Sequence, residues 1–368
     1  MSNEDTKGGV KELQLRPAFA TNFGALAFLT LMLFLLILPL IIGSTGLITR
    51  RHSYQIMPEN QGAYTFAEQE TFEKKGDIDI LVLGSSVIWN AIDTRFIQSE
   101  LSKSLGRPAT VITFGNYFNS IDIPYNQLND LLQRRRVRMV VFSVPRMPYT
   151  DGPSTTAYKF IRYNDNTNVT DDLPFQQQIS LYACSILRAP HDLLTIARTN
   201  RSKPSPYIRT LGANEAEMGM GRDPSKFARL VPAIPNIAKS SLIYSGGTRT
   251  QFSFINAEIT DYQSRYLDAM VDLLREENVP LVMLNIPQYS ERHERTAIER
   301  VYWAKWYGDD IPLIGISPKI LFEGLSEDEV ERLHYDDEHM NANGSEFFTK
   351  IVSPAIVEVY KNNAAKSF

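Results

Sequence analysis

Between residues 23 and 48 the chain carries no charged side chain, and the centre of that run reads ALAFLTLMLFLLILPLIIG. A segment this apolar has to be hidden from water. Roughly 20 such residues wound into a helix are enough to cross the hydrocarbon layer of a bilayer, and a proline inside such a helix, here Pro39, is tolerated. The competing pattern is a cleaved leader, whose apolar part spans about 7–15 residues before a small-x-small site. This run is longer, and Gly43-Ser44-Thr45-Gly46 is a poor cleavage signal. The expectation is therefore an uncleaved transmembrane helix over 23–48 behind a polar tail over 1–22. Lys7, Lys11 and Arg16 precede the run and Arg50 and Arg51 follow it, so the positive-inside rule alone does not fix the orientation.

Beyond a lead-in over 49–76, which reads as irregular, strand and helix patterns alternate. Short continuous apolar runs rich in β-branched residues mark buried strands. They fall at 79–83, 111–114, 139–144 and 279–286, with a weaker one at 311–316. Helical spacing appears over 94–105, 125–135, 261–277 and 345–360, and Asp93 is a good N-cap for the first of these. This alternation predicts an α/β fold: a parallel sheet of about five strands between helices. The stretch 148–260 breaks the rhythm with polar loops, one helical pattern near 176–198 and glycine-rich turns. It reads as an insertion within a domain over 77–362.

Composition narrows the function. The 368 residues carry a net charge of −4, without the basic excess of a nucleic-acid binder. The single cysteine, Cys184, excludes an intrachain disulfide and a cysteine-based metal site. It reads as a small apolar residue on a helix.

Three local features carry chemistry. Gly84-Ser85-Ser86 follows the first strand directly, and ligands of open parallel sheets bind outside the carboxyl ends of the strands. Gly115-Asn116 ends the second strand in the same way, and a backbone amide there would be a candidate oxyanion donor. Near the C-terminus, Tyr335-Asp336-Asp337-Glu338-His339-Met340 precedes the last helix. A serine hydroxyl becomes a nucleophile when a histidine takes its proton and a carboxylate fixes the histidine tautomer. Ser86, His339 and Asp336 are the candidates for those roles.

These residues resemble the SGNH/GDSL hydrolases over about 77–145 and 279–360. Gly84-Ser85-Ser86 is similar to the family's first block, with Ser85 where an Asp is usual. Gly115 matches the glycine of the second block, and Asp336 with His339 matches the closing D-x-x-H block, continued by Met340-Asn341-Ala342-Asn343-Gly344. The resemblance implies a five-stranded parallel sheet between helices, Ser86 as nucleophile, and an oxyanion hole formed by the amides of Ser86 and Gly115. The third block, which carries an Asn in the family, reads Phe142-Ser143-Val144-Pro145-Arg146 here. Arg146 is the candidate to replace that donor, whose loss typically costs about 100–1,000-fold in rate.

A membrane-anchored member with Gly-Ser-Ser resembles the subset that acylates envelope polymers, namely the teichoic-acid D-alanylation and exopolysaccharide O-acetylation proteins. That likeness implies a single-pass protein of the bacterial cytoplasmic membrane, with its catalytic domain on the periplasmic or extracellular side. It also implies an envelope polysaccharide as acceptor, and an acyl donor delivered by an MBOAT-type membrane acyltransferase. No cofactor or metal is expected. Two alternatives stay open: an esterase or deacetylase using the same three residues, and a non-catalytic scaffold of an acylation complex.

Several other features have plainer readings. His334, Asp336, Asp337 and His339 are dense in metal ligands, but no second cluster supports them, and His334 reads as a surface residue. Arg134-Arg135-Arg136 with Arg138 is either a solvated helix end or a surface for lipid headgroups or an anionic polymer. Asn168-Val169-Thr170 fits a glycosylation sequon, and the aromatic residues of 301–308 read as one packed helix face.

Overall fold

The computed structural model of the chain describes residues 21–57, 62–116, 120–143, 160, 173–185, 187–198, 230–244, 260–292 and 311–366. Its elements, in chain order, begin with α1 (Asn22–Ser44), α2 (Arg50–Gln55), α3 (Tyr64–Phe72), β1 (Ile80–Ser85), α4 (Ser86–Ala91), α5 (Thr94–Leu105), β2 (Val111–Asn116), α6 (Asp122–Leu132) and β3 (Val140–Ser143). They continue with α7 (Phe175–Ser185), α8 (Ala189–Arg198), β4 (Ile243–Tyr244), α9 (Asp261–Glu276), β5 (Leu281–Leu284), β6 (Leu313–Ile314), α10 (Pro318–Leu321), α11 (Glu327–Glu331) and α12 (Ala342–Lys366).

The strands form one sheet in the order β2-β1-β3-β5-β6-β4. The first five are parallel, and β4 pairs antiparallel to β6 at one edge. Alternation along each strand divides the core into two layers. Leu81, Leu83, Val140, Phe142 and Met283 face the side covered by α2, α3, α6 and α9. Ile80, Val82, Val141, Val282 and Leu284 face the side covered by α4, α5 and α12. This is the α/β layering that the sequence predicts. The chain leaves β1 for β2 on one side and later enters β3 on the other. The sheet thus reverses its direction of growth at β1, and a crevice opens there at the carboxyl ends of the strands.

Local chemistry sets the helix ends. Asp93 Oδ1 accepts the amides of Arg95 and Phe96 at 3.0 and 3.2 Å to start α5, and Gly106 ends that helix at φ 64°. Thr260 caps α9 through the Gln263 amide at 3.3 Å.

The structure departs from the sequence reading in three places. Residues 49–76 are not irregular, because α2 and α3 pack there against the sheet. Neither shows an apolar stripe, since α3 buries Glu68 and Thr71 beside Tyr64 and Ala67. That burial is sustained by Arg51 and Gln55 of α2, which both donate to Glu68 Oε1 at 2.7 Å. The pattern near 176–198 is two helices, α7 and α8, with Pro190 in the first turn of the second. Finally, the insertion supplies β4 to the sheet edge, two residues that are too short to show a periodicity.

Among the described residues no helix is long and apolar enough to cross a membrane. α1 itself runs for 23 residues, and most of its described apolar side chains are exposed, among them Phe23, Leu29, Leu33 and Ile41, while Ile42 is buried.

Candidate active site

Strand β1 ends at Ser85, and α4 begins at once with Ser86. Gly84 makes this junction possible. It sits at φ 149°, where an L side chain is strained, and a Cβ there would run into Ser143 Oγ at the end of β3. Ser85 is the N-cap of α4, its Oγ accepting the Val87 amide at 3.4 Å. This is a role that Asp also performs at an N-cap, which gives a physical reason why Ser is accepted where Asp was expected. Asn90, one turn on, donates from Nδ2 to the Ser86 carbonyl at 2.8 Å. Thr349 of α12 pins the far end of α4, donating to Ala91 O at 3.3 Å and accepting the Asp93 amide at 2.8 Å.

The second half of the site precedes α12. Asp336 Oδ1 accepts the amides of Glu338 and His339 at 2.9 and 2.8 Å, folding 336–339 into a tight turn. The turn closes with Tyr335 N donating to His339 O at 2.8 Å. Asn341 ties this loop to the fold. Its Nδ2 donates to Arg332 O and His334 O, and its Oδ1 accepts the Asn343 and Gly344 amides that start α12.

The two halves meet. Ser86 Oγ lies 2.8 Å from His339 Nε2, and His339 Nδ1 lies 2.9 and 3.0 Å from the two oxygens of Asp336. An ionised carboxylate only accepts hydrogen bonds, so Nδ1 carries the proton and Nε2 is left to accept from the Ser86 hydroxyl. Burial pushes the Asp336 carboxyl up. The hydrogen bond and charge of His339, with the two amides, outweigh it and hold the group well below the usual carboxylate range. Asp336 is therefore ionised at neutral pH. A hydroxyl, a neutral imidazole and a fixed carboxylate in this order form a relay able to move the serine proton onto His339.

Of the three oxyanion candidates, Ser86 opens α4, where first-turn amides have no partner within the helix. Gly115 pairs with Gly84 at the end of β2, and its carbonyl accepts the Ala63 amide at 3.2 Å. It also makes room for the Trp89 ring, onto which a Cβ would fall. Arg146 lies outside the described residues, as do the sequon at Asn168 and the aromatic segment 301–308.

His334 is not on the surface. It is 6% exposed, between the rings of Tyr289 and Phe322, and its Nδ1 donates to Val330 O at 2.8 Å. Burial pushes this imidazole down to about 4. The unfolded chain then binds the extra proton first. Stability is full above about pH 6.5, falls as the pH drops towards 4, and levels off below that. A loss on the order of 3 kcal/mol is expected across that window. Urea melts of wild type and His334→Phe at pH 7.5, 6 and 4.5 check this: the variant should lack most of the slope.

Among the described residues no group of three or more His, Cys, Asp or Glu side chains is arranged to hold a metal ion. Sequence reasoning missed Asn90 and Thr349. The i,i+4 spacing of Asn90 from Ser86 was the available signal for the first, and nothing local marks the second. Comparisons with family models, curated proteins and solved structures return no match to this chain.

Proposed function

We propose that the chain is a membrane-anchored serine O-acyltransferase that modifies a bacterial cell-envelope polysaccharide. The observation that carries this reading is the continuous Ser86–His339–Asp336 relay, with links of 2.8 and 2.9 Å. The resemblance to SGNH hydrolases rests on the same residues and on the five parallel strands between helices. For the anchor, the support is the sequence run 23–48, which carries no charge and is longer than the roughly 20 apolar residues a spanning helix needs. A helix exposing most of its apolar residues has no stable place in water. The catalytic domain is assigned to the periplasmic or extracellular side of the cytoplasmic membrane.

In the first half-reaction Ser86 Oγ attacks the acyl carbonyl and passes its proton to His339 Nε2. Asp336 steadies the imidazolium, and the Ser86 amide donates to the developing oxyanion. Collapse expels the donor's leaving group with the proton from His339, leaving an acyl-serine. A sugar hydroxyl then loses its proton to His339 and attacks this ester, which restores Ser86. The acyl group comes from an MBOAT-type membrane partner in this reading.

Hydrolysis is the second reading. The side chain of Asp336 is 37% exposed and that of His339 18%, so water reaches the relay, and a water-excluding site is what favours transfer. Partition of a p-nitrophenyl acetate-derived acetyl group between water and an oligosaccharide acceptor decides between them. Transfer predicts faster nitrophenol release with rising acceptor and acetyl recovered on sugar. Release indifferent to acceptor, with acetate as sole product, would make the chain an esterase.

A further inference from the structure

At the end of the sheet opposite Ser86, before β3 begins, the chain reads Arg134-Arg135-Arg136-Val137-Arg138. These residues and the end of α9 surround a groove of about 1200 Å³. Arg134, Arg136, Arg138 and Arg275 line it, the first two and Arg275 exposed at its rim and Arg138 partly buried, while the buried Val271 and Leu274 form its floor. Four guanidiniums at one end are a marked concentration in a chain of net charge −4.

The run is not simply a solvated helix end. Arg135 is buried and structural: its Nη1 contacts Glu70 Oε2 at 2.6 Å and its Nε donates to Gly76 O at 2.9 Å. Arg138 pairs with Asp77 at 2.7 Å. These two hold the segment rigid and present Arg134 and Arg136 outward. Both are exposed, and neither has a carboxylate partner among the described residues. Arg134 rests over the Phe72 ring at 4.6 Å. Glu277 is the acidic side chain on this rim.

The same end of the domain receives α1. Arg50, six residues beyond Ser44, pairs with Asp130 of α6 at 2.8 Å. Tyr54 donates to the other Asp130 oxygen at 3.0 Å and packs against Phe72 at 5.5 Å. Phe72 is the ring under Arg134, so the exit of α1 and the basic rim are neighbours.

We propose that this groove binds the phosphate group of an anionic phospholipid, with the start of an acyl chain on its apolar floor. The inference rests on α1 being a membrane anchor. A rim of guanidiniums suits a phosphodiester, and the apolar floor favours an amphiphile over free phosphate.

The test uses the full chain in neutral detergent, titrated with dihexanoyl-phosphatidylglycerol, dihexanoyl-phosphatidylcholine or inorganic phosphate and read by native mass spectrometry. The glycerol lipid should bind saturably, with the choline lipid and phosphate far weaker. Basic residues near an anionic lipid surface contribute about fivefold each, so Arg134→Gln with Arg136→Gln should weaken binding about 25-fold. Added salt should weaken it further. Equal binding of the two lipids, tighter binding of phosphate than of lipid, or an unchanged double variant overturns the proposal. Incorporation of the chain into nanodiscs of pure phosphatidylcholine tests α1 separately, since those carry no net charge for the groove to read.

Discussion

Ser86→Ala is expected to abolish covalent labelling of the full chain by a fluorophosphonate probe and to lower acyl turnover by on the order of 10⁴–10⁶-fold. His339→Ala should do nearly as much, and the double variant should be little worse than either single one. Residues that work as one relay are far from additive in their effects. Neither change should unfold the protein, since Ser86 contributes little apolar contact and the His339 side chain is partly exposed. The measurement is probe labelling beside a thermal melt. Labelling that survives Ser86→Ala with the melt unchanged would remove Ser86 from the chemistry and leave the scaffold reading.

Gly115→Ala should be a damaging single-methyl change, costing about 2–4 kcal/mol. Strand β2 cannot retreat, because it pairs with β1 on one side and accepts the Ala63 amide on the other. Trp89 is 2% exposed and has no space to yield. The penalty here is steric. Gly106→Ala offers the contrast: nothing lies near its Cβ, but its φ is 64°, so the cost there is conformational, about 1–2 kcal/mol. Urea melts of the two variants should rank them in that order. Because Trp89 lies on α4 with Ser86, Gly115→Ala should also slow probe labelling, whereas Gly106→Ala should not.

The parts of the molecule visible in the sequence are those with local causes. Each buried strand of the parallel five is a short apolar run, and Asp93 and Gly106 punctuate α5 as capping chemistry requires. Ser86 at a strand end, and Asp336 three residues before His339, are likewise short-range patterns. What escaped depends on partners distant in the chain. Glu68 is buried because Arg51 and Gln55 of α2 meet it, so α3 carries no apolar stripe to read. His334 is enclosed by Tyr289 and Phe322, which no spacing around His334 reveals. The place of Gly115 at a strand end is legible in the sequence, but the lack of room for a side chain there is set by an indole 26 positions away.

The last helix joins the two ends of the domain. α12 starts at the Asn341 cap beside the 336–339 turn, meets α4 through Thr349, and reaches the opposite end of the sheet, where Tyr360 donates to Asp79 Oδ1 at 2.6 Å. Its 25 residues span about 37 Å. Adding or removing one residue between Thr349 and Tyr360 would turn everything beyond it by about 100° and shift it by 1.5 Å. Thr349 and Tyr360 could not then both keep their partners. The length of this segment, and not only its residue types, is therefore what couples the two ends of the sheet, so a one-residue insertion there should destabilise the protein more than a substitution on the outer face of the helix.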